Sequence, residues 1–358
     1  MRYLQLDWTG PSGAGRYLLT LATVIVATVV SGVLVGVLMG LLGAEVSPEV
    51  ASGSSASSIS PEALGLGQIE FFGIALLPFV IIFFALWGCL RVLHRRSLWT
   101  LITPSQRIDW SRFLYAGAVW GGLMLLTTAV TVLLYPEEYQ LAFEPTAFVQ
   151  LLVLALLLIP IQASTEELLL RGYLMQGVAR WLRSGTAAVV VTSLLFGGLH
   201  GANTEVAVHG LWLTMPYYIG FGLLLAVLTL VDNRLEMALG IHVVNNLVGT
   251  VLVTSPESSL PTPALLRAET MSLNAGSLFA WFATAAVFVG LMARQYDWSW
   301  KDLRKALGRV EPPQSEDGAL PSDAETSQPA TDTDQKDARL DAQDDRSESS
   351  VSRQTGEG

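Results

Sequence analysis

Two adjacent carboxylates and a guanidinium, Glu166, Glu167 and Arg171, close the apolar run from Phe148 to Ile161. A charged side chain at the centre of a membrane helix costs about 2.5 to 3.5 kcal/mol on insertion scales, so three ionisable groups in one such run point to function. On a helix Glu167 and Arg171 lie four positions apart and share a face, where pairing lowers the cost of burying both. Glu166 stands about 100° further round and is the carboxylate left for chemistry. Two other apolar segments supply imidazoles and an amide: His200 ends Phe196-Gly-Gly-Leu-His200, and His242 and Asn246 bracket His242-Val-Val-Asn-Asn246.

This set can hydrolyse a peptide bond. Glu166 takes the proton from a water, His200 holds that water and shuttles the proton, and His242 with Asn246 donates to the oxyanion of the tetrahedral intermediate. Glu167 with Arg171 supports the helix and modulates Glu166. A second chemistry uses the same residues, because Glu166, His200 and His242 form a three-ligand set for Zn2+ or another divalent metal with an open fourth position. Glu167 would then have to be the base, although Arg171 is its nearer claimant, and there is no His-Glu-x-x-His motif. Both versions stand open at the level of sequence.

The elements that must position these groups are membrane helices. Half of the 358 residues are hydrophobic, 15% are charged and mean hydropathy is +0.46, which excludes an ordinary soluble globule. We expect an all-α polytopic helix bundle with about eight spans: 17–43, 69–93, 113–135, 147 to about 180, 185–201, 210–231, 235–254 and 273–293. Each approaches the ~20 residues a bilayer requires. No small-residue cleavage site follows a brief apolar core, so the first span is expected to stay in the mature chain. At ~1.5 Å per residue, Glu166 lies about 21 Å, His200 about 24 Å, and His242 and Asn246 about 12 and 18 Å from the same membrane face, close enough to meet.

Charge supports the count. With the N-terminus inside, the inner connections carry fifteen Lys and Arg and the outer ones only Arg267, as expected for cytoplasmic termini. The segment 311–358 holds thirteen acidic and four basic residues and almost no large apolar ones, so we expect a disordered acidic tail. The loop 44–68 is Ser- and Gly-rich and is expected to be flexible. Cys89, the single cysteine, reads as a small buried hydrophobe. His94, beside Arg95 and Arg96, reads as solvated or headgroup-facing. Glu205 and His209, four apart near Asn203, offer a weaker metal pair. Gly197, Gly198 and Gly201 suit close helix approach or substrate access, and Trp298, Trp300, Lys301, Arg304 and Lys305 suit an interfacial anchor.

The ordered set Glu-Glu-x-x-x-Arg (Glu166, Glu167, Arg171), Phe-x-x-x-His (Phe196, His200) and His-x-x-x-Asn (His242, Asn246) resembles the CPBP, or Abi, intramembrane protease family. That family includes the type II CAAX prenyl endopeptidases and proteins linked to bacteriocin self-immunity. The resemblance covers roughly 148–253. It implies a catalytic core at 147–254; the hydropathy and charge pattern sets a cytoplasmic segment 1–16 and helices at 17–135 before that core, and a last helix and basic anchor at 273–310 after it. The resemblance implies Glu166, His200, His242 and Asn246 as catalytic residues, and a membrane protein or lipidated peptide as substrate, a prenylated CAAX-type C-terminus being one possibility, in a prokaryotic plasma membrane. A noncatalytic scaffold or self-immunity protein retaining the fold is the alternative, against which the intact motifs speak. A proton-relaying transporter would show internal repeats, and none is evident. Nothing suggests nucleic acid.

Overall fold

The computed structural model describes residues 2–43, 61–270 and 273–313. Its helices are α1 (Ala14–Leu41), α2 (Gln68–Val92), α3 (Trp110–Leu134), α4 (Pro145–Leu182), α5 (Gly185–Leu199), α6 (Thr204–His209), α7 (Leu211–Asp232), α8 (Glu236–Leu252), α9 (Ala275–Gln295) and α10 (Trp300–Leu307). Among the described residues α1, α2, α3, α4, α7 and α9 are long and apolar enough to cross a membrane, and α5 and α8 are shorter apolar helices. The protein is an all-α polytopic membrane bundle. Large apolar side chains such as Leu18, Ile25, Val29 and Val33 on α1 are exposed, the surface a lipid-facing helix requires. Gln314–Gly358, where a disordered tail is expected, and most of the expected flexible loop, 44–60, lie outside the described residues.

α8 is the element around which the others gather, packing on α3, α4 and α7. Small residues allow this. A Cβ on Gly240 would stand 2.1 Å from the Phe113 carbonyl oxygen, and one on Gly121 would stand 2.7 Å from Val244, so α3 and α8 approach with backbone close to backbone. α4 runs unbroken through Pro160, then continues as a π-helix over Leu168–Leu174 immediately after Glu167. π-helical turns inside α-helices are rare and concentrate at functional sites.

The chain before α1 is part of the core. Tyr3–Thr9 forms a 3-10 helix whose Tyr3, Leu4, Leu6 and Asp7 are buried. Asp7 Oδ1 lies 2.7 Å from Arg96 Nη1 and accepts the Tyr17 hydroxyl at 2.5 Å, while Arg96 Nη2 donates to Gln176 Oε1 at 2.6 Å. The Tyr3 hydroxyl lies 2.5 Å from the Leu101 carbonyl and 3.3 Å from that of Arg171. One arginine of the basic connection is therefore consumed internally.

His94 corrects the solvated reading. It is wholly buried, with Tyr17 and Tyr173 rings edge-on at 5.2 and 5.3 Å. Its Nδ1 lies 3.0 Å from the Pro11 carbonyl, and Nε2 lies 2.9 Å from the Tyr173 hydroxyl and 3.2 Å from that of Thr20. Both ring nitrogens are satisfied inside the protein, so burial leaves neither unpaired.

At the other end of the bundle a small sheet has the order β1 (Tyr139–Leu141), β3 (Leu266–Ala268), β2 (Val253–Thr254), with β1 antiparallel and β2 parallel to β3. It joins the end of α8 to the segment that begins α4. Glu205 and His209 do not combine as a metal pair there. Glu205 accepts from Ser259 N and Oγ, and His209 Nε2 lies 3.1 Å from Glu257 Oε2. Cys89 is buried.

Candidate active site

α4 and α8 run antiparallel past one another and bring their polar residues into register. Glu167 Oε1 receives Arg171 Nη1 at 2.6 Å, the intrahelical pair expected from their spacing, and also His242 Nδ1 at 2.8 Å. Both side chains of the ion pair are fully buried. Arg171 Nη2 donates to the Gly222 carbonyl at 3.1 Å, and its guanidinium lies over the Phe196 ring at 4.6 Å. One carboxylate thus ties together α4, α7, α5 and α8 through its partner cation and imidazole.

Glu166 has a different environment. Its Oε1 accepts from Gln162 Nε2 at 2.6 Å, and its Oε2 lies 3.6 Å from His242 Nε2. Oε2 is buried and makes no hydrogen bond within the protein. The Gln162 oxygen in turn accepts from Asn246 Nδ2 at 2.9 Å. Glu166, His242 and Asn246 therefore meet on one side of the α4–α8 contact, with Gln162 between acid and amide.

His200 lies at the C-terminal end of α5, its Nδ1 2.7 Å from the Phe196 carbonyl. That bond requires Nδ1–H as donor and leaves Nε2 as the acceptor of the neutral ring. The imidazole packs against the Phe196 ring at 4.4 Å and stacks on Tyr218 at 4.5 Å, whose hydroxyl accepts from Asn203 at 3.0 Å. Phe196 also touches His242, ring centre to ring centre 5.8 Å. His200 thus reaches the cluster through the Phe196 ring, and among the described residues no hydrogen bond joins it to Glu166.

The donors do not assemble a metal site. Glu166 Oε2 and His242 Nε2 face each other, but among the described residues no three His, Cys, Asp or Glu side chains are arranged to hold an ion. A catalytic zinc takes three protein ligands, so the Glu166, His200 and His242 set as arranged here does not fit one. Gln162, Tyr218, Asn245 and Trp120 are neighbours of the candidate site to which motif reading gave no role. Gln162 carried a usable signal, a polar residue in an apolar run one helical turn before Glu166. Trp120, on a helix outside all three motifs, carried none.

A polytopic bundle of apolar helices is an integral membrane protein, and in this one an acid, an imidazole and an amide meet between α4 and α8. Residues 147–248 match the family described as Rce1-like, type II CAAX prenyl endopeptidase. The chain is 30% identical over 219 residues to the uncharacterized protein YyaK of Bacillus subtilis (strain 168), over 60% of this chain and 73% of YyaK. No solved structure matches significantly. The chain belongs to the Rce1-like family and is a CAAX protease-like membrane protein.

Proposed function

We propose that this protein is an intramembrane endopeptidase that hydrolyses a peptide bond of a membrane-associated protein or peptide with water activated at Glu166. The observation that carries the reading is the division of the Glu166 carboxylate, with Oε1 tied to Gln162 and the buried Oε2 unbonded and facing His242. A carboxylate so arranged has one oxygen held and the other free to take a proton, with a potential donor opposite it.

In the proposed cycle Glu166 Oε2 takes one proton of the water as its oxygen bonds to the scissile carbonyl carbon. His200 Nε2 holds the same water and relays protons. The oxyanion is met by the second N–H of Asn246 and by His242. Because His242 Nδ1–H is engaged with Glu167, its Nε2 donates only when the ring is an imidazolium, with the Glu167 carboxylate as counter-ion. Collapse of the intermediate breaks the C–N bond, and the proton held by Glu166 passes to the leaving amine. The membrane setting selects substrates already held in or on the bilayer, and a prenylated CAAX-type C-terminus is the substrate class family membership brings. The asymmetry of Lys and Arg supports both termini on the cytoplasmic side of the membrane.

The test compares the wild-type protein with Glu166→Gln and His200→Ala, purified in detergent and given a membrane-peptide library that includes farnesylated CAAX-type C-termini. Wild type is expected to cleave, and each variant to lose on the order of 10²-fold or more in rate. Cleavage unchanged in both variants overturns the assignment. Chelation is expected to leave the rate intact, and loss restored by added zinc would return the metal version.

A further inference from the structure

The amide chemistry around Glu166 extends well past the motif residues. Trp120 Nε1, on α3, donates to Asn245 Oδ1 at 3.2 Å. Asn245 Nδ2 donates to Asn246 Oδ1 at 3.1 Å, Asn246 Nδ2 to Gln162 Oε1 at 2.9 Å, and Gln162 Nε2 to Glu166 Oε1 at 2.6 Å. These four bonds form one unbroken series crossing from α3 through α8 to α4. They shorten toward the carboxylate, as expected where the terminal acceptor is charged and each bond polarises the next.

The sense of the series is fixed at both ends. An indole nitrogen only donates and an ionised carboxylate only accepts. An isolated Asn or Gln side chain can rotate half a turn and exchange its oxygen for its nitrogen at little cost. Here such a flip at any of Asn245, Asn246 or Gln162 would place two donors or two acceptors face to face. Trp120 is almost fully buried, with 1% of its surface exposed, and Gln162 is buried too, while Asn245 and Asn246 between them are half-buried, so a mismatch at Gln162 or at the Trp120 indole falls on a group with little access to water.

We propose that Trp120, Asn245 and Gln162 are positioning residues whose directed hydrogen-bond series holds Asn246 with its N–H toward the oxyanion and Glu166 with Oε2 toward the water. The functional need is specific. An oxyanion site with the Asn246 amide flipped would present a carbonyl oxygen to a developing negative charge, and a Glu166 released from Gln162 would lose the distinction between its two oxygens. Among the described residues Trp120 has no hydrogen bond to Glu166, His242 or Asn246, its indole nitrogen going to Asn245 and its ring to Phe221, Trp281 and Phe288. It acts through three amides, at the far end of a line that begins on a helix outside the 147–248 family match.

This inference deepens the proposed hydrolytic reading and rests on it for its rate consequence, whereas the series itself is testable without turnover. The first measurement is the 15N-indole spectrum of the protein in detergent, with the Trp120 signal assigned by its disappearance in Trp120→Phe. Introducing Gln162→Leu, three bonds away, is expected to move that signal more than those of the other nine tryptophans. A Trp120 signal unmoved by Gln162→Leu overturns the series. The second measurement is kinetic, on variants that retain wild-type thermal unfolding. Trp120→Phe is expected to lower kcat roughly fivefold, the worth of about one hydrogen bond, with KM unchanged. Combined with Gln162→Leu it should add nothing to the loss from Gln162→Leu alone, because the line is already cut. Additive losses, or a Trp120→Phe enzyme with wild-type kcat, overturn the positioning role. Failure of the hydrolytic reading is recognised separately, by a Glu166→Gln protein that still cleaves.

Discussion

Removing the Arg171 guanidinium would leave Glu167 a buried anion with His242 as its remaining hydrogen-bond partner. Breaking a buried pair from one side costs about 3 to 5 kcal/mol, so Arg171→Met should lower the thermal unfolding midpoint sharply. Adding Glu167→Gln to that variant should recover part of the loss, which a comparison of the two unfolding curves would read directly. His94 carries a prediction of a different kind, since it lies outside the membrane-spanning helices. Burial holds its imidazole below the ordinary histidine value, with Arg96 acting in the same direction and the Pro11 carbonyl partly opposing. The fold therefore binds fewer protons there than the unfolded chain does. Its contribution to stability is complete above the ordinary value of about 6.5 and is lost as pH falls through the lowered one. Unfolding midpoints measured from pH 8 to 5 should decline on the acid side, and His94→Gln should flatten that part of the decline.

The contact between α3 and α8 sets where His242 stands. An added methyl at Gly240 would have to displace the Phe113 backbone, because the neighbouring atom is a carbonyl oxygen at 2.1 Å and not a mobile side chain. Gly240→Ala is expected to cost about 1 to 3 kcal/mol as overpacking, and to depress activity further by shifting His242, two residues along the same helix. Measured stability and rate should fall together. The helices themselves were legible in the sequence because each apolar run is bounded by polar or Gly-rich connections, and the Glu167–Arg171 pair was legible because its partners share one helix. The three strands were not, since two or three residues are too few to show an alternating pattern and β2 and β3 pair across an intervening loop. Nor was the burial of Asp7 and Arg96. They are far apart in sequence, and each alone reads as an ordinary solvated charge. The directed amide series was hidden for the same reason, as its first donor and its last acceptor belong to helices that only the fold brings together.

Across the molecule both ends of the described chain close over the same region of the bundle. Gln5 donates to the Glu311 carbonyl, Tyr3 N to Asn233 Oδ1, and Val310 N to the Arg183 carbonyl. Deleting residues 2–9 would strip Arg96 of its anion and open the base of α4, so the truncated protein should unfold at markedly lower temperature than the full chain while Gln5→Ala alone changes little. The two abbreviated helices have a consequence for the surrounding lipid. α5 has 15 residues and α8 has 17, or about 22 and 25 Å of rise, against a hydrocarbon layer of about 30 Å. α8 is enclosed by its neighbours, but α5 exposes Val190, Leu194, Leu195 and Leu199, so acyl chains beside it must shorten, tilt or leave room for headgroups to descend, and this hydrophobic mismatch falls on the helix that ends at His200. A thinned annulus would shorten the path by which a polar backbone and a water molecule reach the interior. Proteoliposomes of short-chain phosphatidylcholine should then support faster turnover than those of long-chain lipid, with the bilayer's thickness setting the rate.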